Sequence, residues 1–169
     1  GGPVFDMKKL TWMNGRYVRE QMSDEDIVTY LSTQLFNHDY LAKIVPLVKE
    51  RVEKSEDFFE YADFFFKGEL NCPQEEFMVA ALDKKASADL MDELLEEFER
   101  LTVFAAERLN QIVHDFVAGR NLKLKDILMP LRMMLCGKKA SPPMFEVMAV
   151  LGKERVRSRM RRAIKLLRT

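Results

Sequence analysis

The side chains in this sequence that could do chemistry are cations rather than nucleophiles. Lys138 and Lys139 flank a short loop, Ser141-Pro142-Pro143-Met144. The last stretch carries Lys153, Arg155, Arg157, Arg159, Arg161, Arg162, Lys165 and Arg168. Arg132 follows Pro130, and a helix restarted at that proline would hold the arginine near its N-terminus, where the potential favours an anion. A pair with Asp126 is the plainer alternative. Arg51 closes the run Leu47-Val48-Lys49-Glu50-Arg51; it could stand in solvent or pair with Glu50 or Asp57. A guanidinium presents a rigid fork of donors that fits phosphates and base edges bidentately. By contrast, His38 and His114 stand alone, with no Ser/His/Asp or Cys/His arrangement around them. Cys72 and Cys136 lack metal-type spacing and read as reduced thiols. Glu93, Glu96, Glu97 and Glu99 read as an exposed helix face, and there is no glycine-rich phosphate loop. The residues therefore offer recognition, with no catalytic group and no metal site.

Hydrophobic residues make up 47% of the 169, enough to bury a core, while glycine (7) and proline (6) are scarce. Helix formers abound and strand-type alternation is hard to find, which predicts an all-α fold. The net charge is zero but unevenly spread. Acids outnumber bases roughly three to one from Glu56 to Asp115, and bases outnumber acids roughly four to one from Lys123 onward. That polarity fits one surface that faces nucleic acid, or equally two halves that attract each other. No apolar run approaches the roughly 20 residues that cross a bilayer. Gly1-Gly2-Pro3 reads as an internal boundary without a signal peptide, and a cytoplasmic location is expected.

The elements that must position these cations follow from apolar periodicity and caps. A helix is expected over Lys8 to Glu20, weakened at Gly15, with Trp12 and Tyr17 in a core or interdomain role. Ser23, with Asp26 at the capping-box position, should start the next helix. Asn37-His38-Asp39 can cap a helix from Tyr40 to Lys54, where Pro46 must kink the helix or sit near its start. Ser55 can cap a helix whose aromatics, Phe58 to Phe66, read as core. The loop Lys67–Pro73 is the best internal boundary, with Gly119 as the second choice. A short helix follows over Gln74 to Lys84, and Ser87 then caps a long pattern that breaks near Thr102–Ala105 and ends at Gly119-Arg120-Asn121. Leu124 to Leu135 should bend or restart at Pro130. Phe145 to Leu151 is stopped by Gly152, and Lys153 to Leu167 is an amphipathic last helix. The domains expected are a leading segment 1–22, a helical subdomain 23–72, and a second subdomain 73–169, the two subdomains packed together.

Three stretches resemble bacterial-type class I glutamyl-tRNA synthetases. They are Val4-Phe5-Asp6-Met7-Lys8-Lys9-Leu10-Thr11-Trp12-Met13-Asn14-Gly15-Arg16-Tyr17-Val18-Arg19, then Leu128-Met129-Pro130-Leu131-Arg132-Met133-Met134-Leu135-Cys136-Gly137, then Ser141 through Arg155. Cys136 replaces a usual threonine and Pro143 a usual glycine. The resemblance covers about a third of the chain and implies the C-terminal, helical anticodon-binding part of such a ligase. No HIGH-type or KMSKS-type motif occurs, so the resemblance puts ATP, Mg and glutamate chemistry in a catalytic domain outside this chain, with no cofactor in the chain itself.

The resemblance further implies that Arg132 contacts the anticodon and that Arg51 reads its last base, favouring cytosine over guanine. Ser141, Pro142, Pro143 and Met144 match a loop that touches anticodon bases, although Pro143 has no N–H to give. Lys138, Lys139, Lys153 and Arg157 would add sequence-independent attraction to phosphates. The implied partners are the anticodon loop of tRNA-Glu and the catalytic domain of the same enzyme; a monomer and no membrane are expected. A rival reading is a helical protein-interaction module with Met-rich and acidic faces.

Overall fold

A computed structural model describes residues 7–169; Val4, Phe5 and Asp6 of the first motif, and the side chains of Leu10 and Trp12, lie outside the described residues. Every regular element among the described residues is helical. They group into two compact units, one ending at Leu41 and the other spanning Ala42–Thr169.

In the first unit, α1 (Met7–Gln21) runs through Gly15 without a break. α2 (Asp24–Tyr30) starts at Ser23, whose hydroxyl accepts from the Asp26 N–H at 3.2 Å while the Asp26 carboxylate accepts from the Ser23 N–H at 2.9 Å. Both orphan donors of that helix start are thereby satisfied. A wide π turn over Leu31–Leu35 follows. Neither α2 nor the π turn contains a buried residue. Tyr17, expected in a core or interdomain role, is 60% exposed and lines an open apolar groove with Val18, Met22, Ile27, Tyr30 and Leu31.

α3 (His38–Val48) begins where Asn37 Oδ1 accepts from the Tyr40 N–H at 2.8 Å. Pro46 lies inside it on the exposed side. A 3-10 turn, Lys49–Arg51, continues from buried Val48. α4 (Asp57–Ala62) has no side-chain cap from Ser55. The Asp57 carboxylate instead accepts from the N–H groups of Glu53 and Lys54, folding the approach to the helix back on itself. Phe64 and Phe65 are buried beyond α4, with ring centroids 4.4 Å apart.

The expected helix over Gln74 to Lys84 is only a 3-10 turn, Gln74–Phe77. α5 (Lys84–Arg100) is capped by Asp83, which accepts from the Ala86 N–H at 2.7 Å. Ser87, expected as the cap, is buried inside the first turn and accepts from the Val79 N–H at 3.0 Å. α6 (Ala106–Ala118) follows the break at Leu101–Ala105. α7 (Leu124–Cys136) passes straight through Pro130 and ends at Gly137, whose φ of +67° suits glycine at a helix end. α8 (Met144–Leu151) and α9 (Lys153–Leu167) meet at Gly152, φ +80°.

α9 is the spine of the second unit, packing on α5, α7 and α8. Met91, Leu94, Phe98, Leu131, Leu135 and Met160 are essentially removed from water between these helices. Each such side chain stabilises the fold by about 1.5–3 kcal/mol. The expected boundary at 72/73 falls inside this unit. The loop there is tied down: Arg159 donates to the carbonyls of Phe64 and Lys67, and Arg162 pairs with Glu69.

Candidate functional site

Arg51, Glu60 and Tyr61 come together with Lys138, Ala140, Ser141 and Pro142 around a cleft of about 380 Å³. That volume lies in the range of small-ligand sites. Each wall has a local cause. Val48, fully buried, anchors the 3-10 turn and sends Arg51 outward at its end. α4 supplies exposed Glu60 and half-buried Tyr61, just ahead of buried Ala62. Gly137 releases the chain from α7 into the loop, where buried Pro142 fixes the opposite wall.

The two arginines differ in how they are held. Arg51 is exposed, and among the described residues its guanidinium has neither an ion-pair nor a hydrogen-bond partner. Neither Glu50 nor Asp57 claims it; Asp57 is spent on backbone donors. Arg132 is half-buried and reaches the same loop from α7. Its Nε donates to Ser141 Oγ at 3.0 Å and its Nη1 to Met129 Sδ at 3.3 Å. Ser141 Oγ passes the chain on to the Pro142 carbonyl at 2.8 Å. Asp126 accepts instead from the Lys123 N–H. Because α7 is continuous, Arg132 has no helix N-terminus beside it. The packing of Ile127, Pro130, Leu131 and Leu135 outweighs the one backbone bond that Pro130 forgoes.

The remaining expected site residues separate. Pro143 is exposed at the start of α8, whereas Met144 is 4% exposed and belongs to the core. Lys138 sits on Asp63 Oδ1 at 2.6 Å and on the Glu60 carbonyl. Lys139 pairs with Glu76 at 2.8 Å. Lys153 is away from the cleft; its ammonium donates to the carbonyls of Glu99 and Leu101 at 2.6 and 2.8 Å, satisfying the C-terminal end of α5. Arg157 pairs with Glu154 on its own helix. Further along α9, Arg161 meets Glu99, while Arg168 beyond its end meets Asp89 and Asp92, all three carboxylates on α5. Of the two meanings of the charge polarity, mutual attraction of the halves accounts for this part of the basic helix.

Glu60, Tyr61 and Asp63 are members that sequence reasoning missed. By pattern Tyr61 falls among the core aromatics, but a tyrosine among five phenylalanines is the one ring with a polar tip, which marks the wet side of such a helix. Asp63 lies between Lys138 and Lys67. Burial pushes its carboxyl up, but hydrogen bonds and charge from the two lysines outweigh that and hold it below the usual carboxylate value. A depressed carboxyl stabilises the fold above its unfolded pKa of about 3.9 and stops doing so as pH falls through the lower folded value. Acid unfolding followed by circular dichroism should therefore show Asp63→Asn losing stability at neutral pH and converging on the original chain as pH falls through the lowered carboxyl value. A constant gap down to pH 2 would contradict the pairing. Cys136, buried nearby, has its thiol pushed up to about 12 by burial and is inert as a nucleophile.

A family model described as an anticodon binding domain matches residues 17–164. A glutamate–tRNA ligase of Marinomonas sp. is 35% identical over 167 residues, covering 99% of this chain and 34% of that protein. The glutamate–tRNA ligase of Saccharophagus degradans is 31% identical, with 99% and 33% covered. Among solved structures, a glutamate tRNA ligase from Elizabethkingia meningosepticum in complex with its amino acid superposes with a TM-score of 0.70 at 29% identity, over 99% of this chain and 34% of that one. A glutamate-tRNA synthetase from Elizabethkingia anophelis gives 0.59 at 30% identity, over 98% and 33%. The chain thus spans about a third of the length of these relatives.

Proposed function

Because the chain belongs to the anticodon binding domain family, we propose that it reads the anticodon loop of tRNA-Glu as one part of a glutamate–tRNA ligase. An anticodon loop offers unpaired bases whose edges a side chain can reach. The observation that carries the reading is the cleft itself. It joins an open guanidinium, Arg51, to the Ser141–Pro142 loop from far along the chain. Tyr61 supplies a flat ring in the same space, and Arg132 fixes the loop from behind. The cleft is thus built to take one unpaired base at a time.

ATP-dependent attachment of glutamate belongs, in this reading, to the two-thirds of such a ligase that lie beyond this chain. The open apolar groove of the first unit, Tyr17 to Leu31, suits packing against that remainder, since soluble proteins rarely leave a contiguous apolar patch without a partner.

The test is direct binding of the whole 169-residue chain to a fluorescent anticodon stem-loop of tRNA-Glu, and to the same RNA with its last anticodon base changed from C to G. The cognate RNA should bind more tightly. Affinity for both should fall between about 50 and 200 mM salt, with log K dropping by roughly 0.7 per phosphate contact for each tenfold rise in salt. Equal, salt-independent binding of the two RNAs would instead favour a protein-interaction module.

A further inference from the structure

We propose that Lys138 is a positioning residue for anticodon reading, acting with Asp63 as a latch that sets the distance between the two walls of the cleft, and that it is not a phosphate contact. This inference rests on the functional reading above. Lys138 belongs to the loop wall, one residue beyond Gly137, where the chain leaves α7. Its ammonium crosses to the other wall and grips it twice. One grip is Asp63 Oδ1 at 2.6 Å, just past α4; the other is the carbonyl of Glu60, a residue that itself lines the cleft. Both partners are largely withdrawn from solvent, with 32% of the Lys138 side chain and 26% of the Asp63 side chain exposed. An ammonium so engaged has little capacity left for a phosphate, and withdrawing it would leave the partly buried Asp63 carboxylate to Lys67 alone.

The second support is how the loop is held at its other end. Arg132 Nε on Ser141 Oγ, and Ser141 Oγ on the Pro142 carbonyl, pin the segment from behind. The loop is therefore fastened to α7 through Ser141 and to the α4 wall through Lys138, with Lys139 paired to Glu76 between them. Among the described residues, the Lys138 fastening is the one that spans the cleft. Loosening it should let the Ser141 wall drift relative to Arg51 and Tyr61, so a base is still attracted but poorly measured. Misplacement by about an ångström is costly in a site that reads geometry.

The two roles make opposite predictions for Asp63→Asn. If Lys138 served phosphate, removing its acidic competitor would free the cation and tighten binding of every RNA. If Lys138 is a latch, the same change should reduce the preference for the C-ending over the G-ending anticodon stem-loop by about tenfold, leaving the salt slope as in the original chain. Lys138→Met should lose the same preference with an unchanged slope. The double variant should be no worse than either single one, because both remove one interaction. Lys138→Arg, which can still bridge to Asp63, should recover part of the preference. In the RNA-free chain, Asp63→Asn should also shift the backbone amide resonances of Ala140 and Ser141.

Tighter binding of both RNAs by Asp63→Asn, or a salt slope shallower by about 0.7 in Lys138→Met, would overturn the latch. Unmoved loop resonances in Asp63→Asn would do so too, even if RNA recognition by the original chain were absent. Should the original chain discriminate while both variants discriminate equally well, the latch fails and the anticodon-reading function stands.

Discussion

Replacing Arg51 with glutamine should collapse the proposed preference for an anticodon ending in cytosine, by about tenfold, while reducing affinity for the guanine-ending RNA far less. A well-placed bidentate pair between a side chain and a base edge is worth about 1–3 kcal/mol of discrimination. Arg51 can deliver that because no acid or acceptor among the described residues competes for it. It stands at the end of a 3-10 turn, exposed, with no carboxylate paired to it among the described residues. Glutamine keeps some reach and one donor group but loses both the charge and the second prong of the fork. Arg132 is expected to matter less directly, since its Nε and Nη1 are already engaged with Ser141 and Met129. Equilibrium binding of the original chain and Arg51→Gln to both stem-loops measures the effect. An equal loss on the two RNAs would reduce Arg51 to a general electrostatic contributor and move base reading elsewhere in the cleft.

The positions of Arg51 and the Ser141 loop show what sequence can and cannot carry. Helices with a local start signal were legible, because the signal and its partner sit within one turn. Ser23 with Asp26 is one case, and Gly152 ahead of the amphipathic stripe Val156, Met160, Ala163, Ile164 and Leu167 is another. Where two polar residues competed to cap, local pattern failed. Asp83 won over Ser87 because Ser87 is drawn into the core to satisfy the Val79 N–H. Ser55 lost its role because Asp57 had already folded its own N-terminal flank. Pro130 read as a break, yet the burial around it keeps α7 whole. Long-range pairing was the least visible. That Lys153 would end α5, or that Arg161 and Arg168 would meet its acids, depends on α5 and α9 lying side by side. Composition shows only that such charges exist. The same holds for the cleft: the family resemblance brought Arg51 and the Ser141 loop under one function, but Tyr61, Glu60 and Asp63 become members only when α4 is folded against them.

Arg159 carries the largest expected effect on stability, and its part was invisible among the eight cations of the last stretch. Its side chain is buried, 5% exposed, on the face of α9 that meets the core. One terminal nitrogen donates to the Leu135 carbonyl at the end of α7. The other donates to the Phe64 and Lys67 carbonyls, at 2.7 and 2.6 Å. One guanidinium thus ties together the end of α7, the aromatic turn after α4 and the start of the loop that follows. Those carbonyls have no helical partner of their own, so a cation among them resolves several orphan acceptors at once. Arg159→Met keeps much of the volume but removes every donor. Each charge-assisted hydrogen bond is worth roughly 1.5–3 kcal/mol, and leaving buried acceptors bare adds to the loss. A destabilisation of about 3–5 kcal/mol is expected, or a fall of roughly 10 °C in Tm at 2–4 °C per kcal/mol for a chain of this size. Lysine should restore little, because one ammonium cannot reproduce a fork whose two terminal nitrogens reach three separate carbonyls. Both ends of the Ser141 loop hang from the elements that Arg159 joins. Discrimination between the two anticodons should therefore weaken in Arg159→Met even below its melting point. Thermal denaturation and stem-loop binding at 15 °C test the two halves of that expectation. A variant that melts within 2 °C of the original would mean that water satisfies these carbonyls and that the packing of α9, not its arginine, holds the cleft in shape.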